Sequence, residues 1–155
     1  MTEMTLEEAR RIVREKAEDN KGTICLCCDK LVKVYRRRLH AEMSLFLFKL
    51  YRKHQLYPRF YSMRELYPES NKAASDGSYL VHWELVEKSD AVNSAEAPAG
   101  LYKMTDKGIS FLHNKEYVAS HVHLLNNRVV GWSDKRINVQ QSLGNKFDYN
   151  ELLYV

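Results

Sequence analysis

Apolar residues along the chain recur at two spacings, and the switches between them mark out its elements. Leu6, Ala9, Val13 and Ala17 follow one another at three- and four-residue steps behind Thr5-Leu6-Glu7-Glu8, a capping box, and Asn20-Lys21-Gly22 supplies a stop. This predicts a first helix of mixed charge, suited to docking or dimerisation. In "LVKVYR", Val32 and Val34 alternate with Lys33 and Tyr35, the signature of a strand with one buried face. From Leu39 to Gln55 the helical spacing returns through Leu39, Met43, Phe46, Leu47, Leu50 and Tyr51. A stripe that wide predicts a long helix at the centre of the core. Pro58 closes the connection, and Ser62-Met63-Arg64-Glu65 is a second capping box opening a short helix that Pro68 stops.

Further along, "SYLVHWELVEK" predicts a helix through Leu80 and Trp83 that runs into a strand from Leu85 to Lys88. "SDAVNSAEAPAG" is small and polar, a hairpin tip, and "LYKMT" returns as the second strand. Thr105 caps a helix over "TDKGISFLHN", with Ile109 and Leu112 facing inward. "HVHLL" and "RVVGW" flank Asn126-Asn127, residues that tolerate the positive φ of a tight hairpin turn. "NVQQSL" reads as a short helix ending at Gly144, and "DYNELL" as another with an Asp cap.

With 45% hydrophobic residues among 155, the chain can bury a core without staples. No apolar run approaches the ~18 residues of a membrane span, and the first twenty residues lack the apolar stretch of a secretory signal. Three cysteines within four positions do not make a disulfide framework, so a cytoplasmic protein is expected.

Charge sharpens the picture. Residues 30 to 64 hold ten Lys/Arg against one acid, Glu42, a local charge of +9 in a chain whose total is +4. Segregation of this kind suits a polyanionic partner, although a solvated basic face has the same composition. Tyr35, Tyr57, Phe60 and Tyr61 interleave with the cations, which permits stacking on unpaired bases.

The order from residue 39 to 113 is helix, helix, helix, strand, tip, strand, helix. Within it "WELVEK", the polar tip and "GLYKMTDKGISFL" resemble the winged helix-turn-helix signature of MarR-like and PadR-like proteins. The expected fold is therefore α+β: a winged helix-turn-helix core at 39–115, an N-terminal helix and cysteine knuckle at 1–38, and a C-terminal β-hairpin plus short helices at 116–155. With a cysteine knuckle before the winged helix and a "NNRVVGWS" hairpin after it, the whole chain resembles, more loosely, small phage and prophage proteins, which implies the cytoplasm of a host cell.

The winged-helix resemblance implies DNA binding, with the third helix in the major groove and the wing on the backbone. It assigns base readout to Ser75, Ser78, Tyr79 and His82, with Lys72 in the loop. The wing departs from that pattern. From 70 to 104 there are three basic residues, Lys72, Lys88 and Lys103, against Asp76, Glu84, Glu87, Asp90 and Glu96. Phosphate contacts must then come from Lys33, Arg36, Arg37, Arg38, Arg52, Lys53, Arg59 and Arg64. The alternative is a winged-helix module whose partner is a protein, of host-takeover or inhibitor type. The DNA-associated form is expected to be a homodimer through its terminal helices.

"TICLCCDKLVKVYRRRL" places all three cysteines beside the basic run. Cys25 and Cys28 have the C-x-x-C spacing of one zinc knuckle, half of the four ligands that a tetrahedral zinc needs. His121 and His123 are candidates for the rest, a second chain donating its own Cys25 and Cys28 is another, and Cys27 can replace either cysteine. The competing reading is of reduced thiols without metal. No Cys/His/Asn signature, Walker loop, dinucleotide fingerprint or HExxH is present, and the chain does not read as an enzyme.

Overall fold

A computed structural model describes residues 3–68, 75–89 and 100–154. In chain order it runs α1 (Leu6–Lys16), β1 (Thr23–Ile24), β2 (Leu31–Val32), β3 (Tyr35–Arg38), α2 (Ala41–Leu56), β4 (Tyr61–Ser62) and α3 (Met63–Leu66). A 3-10 helix (Ser75–Val81) follows, then β5 (Val86–Ser89), β6 (Leu101–Met104), α4 (Asp106–Leu112), β7 (Val118–Ala119), β8 (His121–Leu125), β9 (Arg128–Trp132), β10 (Arg136–Ile137), α5 (Val139–Leu143) and α6 (Tyr149–Tyr154). The protein is a mixture of helix and sheet, as an α+β class requires. It divides into two compact units, Met1–Arg37 with His121–Ser133, and Arg38–Ser120 with Asp134–Val155. The hairpin of the last segment thus counts with the N-terminal residues, and its short helices with the central ones.

In the first unit, α1 is held at its start by the capping box. Glu8 N–H donates to Thr5 Oγ1 at 3.1 Å and Thr5 N–H to Glu8 Oε2 at 3.3 Å. Its buried position is the small Ala9, the C-cap Ala17 is buried just beyond it, and Leu6 remains exposed. The strand expected over Leu31–Arg36 is two strands, because Val34 turns inward between them: its side chain is buried and its N–H donates to Ala17 O at 3.0 Å. β2 pairs with β1, whereas β3 joins a sheet of order β3–β8–β9. Asn126 and Asn127 have φ of 51° and 62°, the left-handed pair that a two-residue hairpin turn demands. Val122 and Leu124 are buried, and the alternate residues His121, His123 and Leu125 are half-buried.

The second unit is organised around α2. Met43, Phe46, Leu47 and Leu50 are buried as the spacing requires, and so are Ser44 and Phe48. The helix is therefore enclosed on more than one face, with neighbours that include α5, β6 and the 3-10 helix. The Ser62/Glu65 capping box starts the single turn of α3. β5 and β6 pair antiparallel from Val86↔Met104 to Ser89↔Leu101. The short strand β4 adds to the far side of β6, giving the order β4–β6–β5. The tip between β5 and β6 lies outside the described residues, as does Lys72.

Residues 75–81 form a 3-10 helix in place of the expected α-helix. Asp76-Gly77 is a poor helical pair, and Gly77 sits where a Cβ would lie 2.9 Å from the Phe46 ring, so the turn is pressed onto α2. The segment then closes in a Schellman-like arrangement. Leu85 N–H donates to Leu80 O at 3.3 Å and Glu84 N–H to Val81 O at 3.0 Å, with Glu84 at φ 61°. Thr105 Oγ1 donates to Glu84 O at 2.6 Å and accepts from Gly108 N–H at 3.0 Å, tying this turn to the start of α4.

Candidate functional site

The basic residues of β3 lie together in one exposed run. Tyr35, Arg36, Arg37 and Arg38 are all exposed along an edge strand. Two cations gather at one aromatic ring, since Lys33 Nζ lies 5.4 Å and Arg37 Cζ 5.3 Å from the centroid of Tyr35. Arg36 is engaged differently: Nη2 lies 3.3 Å from Glu18 Oε2, and Arg14 holds the other oxygen of that carboxylate at 2.8 Å. The hydrogen bond from Arg14, helped by the charges of Arg14 and Arg36, keeps the Glu18 carboxyl below its usual range. Both ion pairs are well exposed, so they cost a competing phosphate little to displace.

The other basic candidates divide by what their side chains already do. Arg52 is partly buried and donates through Nη2 to Leu152 O at 3.0 Å, which makes it a clamp on α6. Arg59 forms an ion pair with Glu65 at 3.0 Å, donates to Phe60 O at 2.7 Å and covers the Tyr61 ring at 4.0 Å. That bond from Arg59 lowers the Glu65 pKa and raises that of Arg59, so neither charge is available without breaking the other's partner. Glu65 also accepts from Ser62 N–H at 2.8 Å, joining the helix cap to the ion pair. Lys53, in the last turn of α2, and Arg64, on α3, are exposed.

Ser78 and Tyr79 lie on the 3-10 helix and His82 just beyond it, all half-buried. The Tyr79 and His82 rings face each other at 6.2 Å with planes 30° apart, the eclipsed i, i+3 geometry of a 3-10 turn. At the head of the turn Asp76 Oδ2 contacts His40 Nε2 at 2.9 Å.

The cysteines occupy the turn joining β1 to β2. Cys25 N–H donates to Lys30 O at 2.8 Å and Asp29 N–H to Cys25 O at 3.1 Å, with Asp29 at φ 62° closing the loop. Cys27 N–H points to Cys25 Sγ at 3.4 Å. Backbone N–H groups of Cys27 and then Cys28, with the Cys28 side chain, pull the Cys25 thiol pKa below its ordinary value. Among the described residues no group of three or more His, Cys, Asp or Glu is placed to hold a metal, so neither His121, His123 nor Cys27 completes a cluster with Cys25 and Cys28.

The expected set missed three features. Glu18, eighteen residues from Arg36, left no signal in local spacing. Glu65 was legible only as a cap. The exposure of Ile24, Leu26 and Leu31 around the cysteine turn had a faint signal in the alternation of "ICLCC".

In the second unit an open groove of about 530 Å³ lies at the base of β5 and β6, with Glu84, Glu87, Asp106, Lys103, Lys107 and His54 in its walls. Its charges of both signs offer no consistent recognition of an anion or a cation. No helix among the described residues is long and apolar enough to cross a membrane. No family model, curated protein or solved structure matches this chain.

Proposed function

We propose that this chain is a nucleic-acid-associated protein in which residues 39–113 form a winged helix-turn-helix framework and the phosphate backbone is held by the basic strand β3. The order α2, β4, α3, 3-10 helix, β5, β6, α4 supports the framework, as does the sheet order β4–β6–β5. The observation that carries the binding role is the exposure of all four β3 residues, with Lys33 and Arg37 gathered at Tyr35. Cations on an open edge strand contact phosphate oxygens, and an exposed tyrosine between them stacks on a base when one is free. Such contacts position the nucleic acid and carry little sequence information.

The test is binding to duplex and single-stranded DNA over a salt series. Each neutralised duplex phosphate contributes about −0.9 to the log–log salt slope. Replacing Arg36, Arg37 and Arg38 together with Ala should weaken binding to all sequences and flatten the slope by about two to three units. Tyr79→Ala or His82→Ala should change sequence preference if the 3-10 helix enters the groove. Absence of salt-dependent binding at low ionic strength overturns the reading.

A second reading, a protein-interaction module without direct DNA readout, is favoured by one observation. Arg36 and Arg59 already face Glu18 and Glu65, and the described residues 75–89 carry Asp76, Glu84 and Glu87 against Lys88 alone.

A further inference from the structure

We propose that the cysteine turn is half of a tetrathiolate zinc site, completed by the same turn of a second copy of this chain. Cys25 and Cys28 lie at C-x-x-C spacing on a turn closed by the Cys25–Lys30 and Asp29–Cys25 backbone bonds and clamped by the β1–β2 pair. A two-stranded clamp of this kind holds two sulfurs on one turn, as tetrahedral zinc ligation needs. The Cys27 N–H directed at Cys25 Sγ gives that sulfur a hydrogen-bond donor, which suits a metal-bound thiolate.

Ligand number then selects the partner. The chain has three cysteines in all, so one copy cannot build a four-thiolate centre. No described His, Asp, Glu or third Cys joins Cys25 and Cys28 in a cluster. Cys28 is exposed and Cys25 half-buried, which leaves the turn open from outside. Two copies related by a two-fold axis supply two sulfurs each and satisfy the metal with an isologous contact.

The surroundings of the turn fit a second copy better than solvent. Ile24 and Leu31 are directly paired across β1 and β2, so their side chains share one face, and they are 52% and 57% exposed. Leu26, inside the turn, is 53% exposed. Two such rims brought together around the metal cover one another. Binding is balanced by proton loss: four thiols release four protons to solvent as four Zn–S bonds form, leaving a net charge of −2 on the centre.

The experiment uses the full chain, kept reduced, stripped with chelator and then titrated with zinc chloride. Molar mass is followed by light scattering and metal by elemental analysis after gel filtration. Cobalt(II) serves as the spectroscopic probe, because four thiolates give a tetrahedral visible spectrum. The expected result is about 0.5 zinc per chain, with molar mass doubling on zinc addition and halving again with chelator. Cys25→Ala and Cys28→Ala should each abolish both readouts, and Cys27→Ala should leave both intact. Ile24→Asp with Leu31→Asp should weaken the zinc-linked dimer at least tenfold while the far-ultraviolet circular dichroism stays unchanged. Less than about 0.1 zinc per chain overturns the proposal, as does one zinc on a monomeric chain or a dimer that survives both chelation and Cys25→Ala. A loss of zinc in Cys27→Ala equal to that in Cys28→Ala overturns the ligand assignment. None of these readouts involves nucleic acid, so the zinc-linked dimer and the nucleic-acid reading stand or fall separately.

Discussion

Replacing Tyr67 with Phe should stabilise this protein, and most strongly in alkali. The Tyr67 hydroxyl is buried with no hydrogen-bond partner among the described residues. Its ring stacks on Phe46 at 6.4 Å with planes 8° apart and lies 4.7 Å from Lys49 Nζ, contacts that a phenylalanine keeps. Burying an unsatisfied hydroxyl costs about 1–3 kcal/mol, and at neutral pH the substitution should recover about 1 kcal/mol of this. For a chain of this size that raises Tm by about 2–4 °C.

The alkaline limb adds a second, independent number. Burial first, and the nearby Glu42 carboxylate second, push the Tyr67 pKa from 10.0 to about 12. The neutral phenol is therefore favoured in the folded state. Its contribution is fully present below about pH 10, where the unfolded chain ionises, and is lost as pH rises through about 12. Two pKa units correspond to about 2.7 kcal/mol, which partial solvent access around the ring reduces to about 2 kcal/mol. Tyr102 and Tyr149 are shifted the same way by burial, so wild-type protein should lose stability steeply in this window, and Tyr67→Phe should lose less. Urea unfolding followed by circular dichroism at pH 7, 9, 10 and 11 measures both effects. A destabilisation of more than about 1 kcal/mol at pH 7 would show that the hydroxyl is bonded after all. An alkaline limb identical to wild type would show that Tyr67 ionises normally in the fold.

Two further substitutions probe close packing in the second unit. Gly108→Ala ought to raise helix propensity by about 1 kcal/mol in open space; here the added Cβ collides with the Leu85 carbonyl oxygen, so a net loss of about 2–3 kcal/mol is expected in thermal unfolding, and a neutral result refutes the close approach. Ser142 Oγ donates to Val139 O at 2.6 Å, so Ser44 Oγ must be the donor in the buried 2.6 Å contact between the two serines. Ser142→Ala strands the Ser44 hydroxyl and should cost about 1–3 kcal/mol. A double-mutant cycle with Ser44→Ala should return a coupling of about 1 kcal/mol, and additivity would deny the bond.

Features written within a few neighbouring residues were legible in the chain itself. The capping boxes at Thr5/Glu8 and Ser62/Glu65, the Thr105 cap and the Asn126-Asn127 turn all appear where the local chemistry puts them. Each needs only a donor and an acceptor three residues apart, or a residue that tolerates positive φ, so distant packing had little to add. The buried stripe of α2 was legible for a similar reason, since periodicity fixes which side chains share a face.

Contacts between distant residues were decided by the tertiary structure. The two-residue strand β4 has no pattern of its own and exists because Tyr61 and Ser62 meet the free edge of β6. Val34 splits the expected strand in two because its N–H and side chain are drawn to Ala17 and the interior. The 3-10 helix at 75–81 lies against α2 so closely that the Phe46 ring leaves no room for a side chain at position 77, a contact 31 residues apart in the chain. Charge followed the same rule: the +9 of residues 30–64 was plain in the chain, but only folding decided that Arg36 faces Glu18, Arg59 faces Glu65 and Arg52 clamps the backbone at Leu152. Composition counts charges, whereas their partners are set by which distant segments the core brings together.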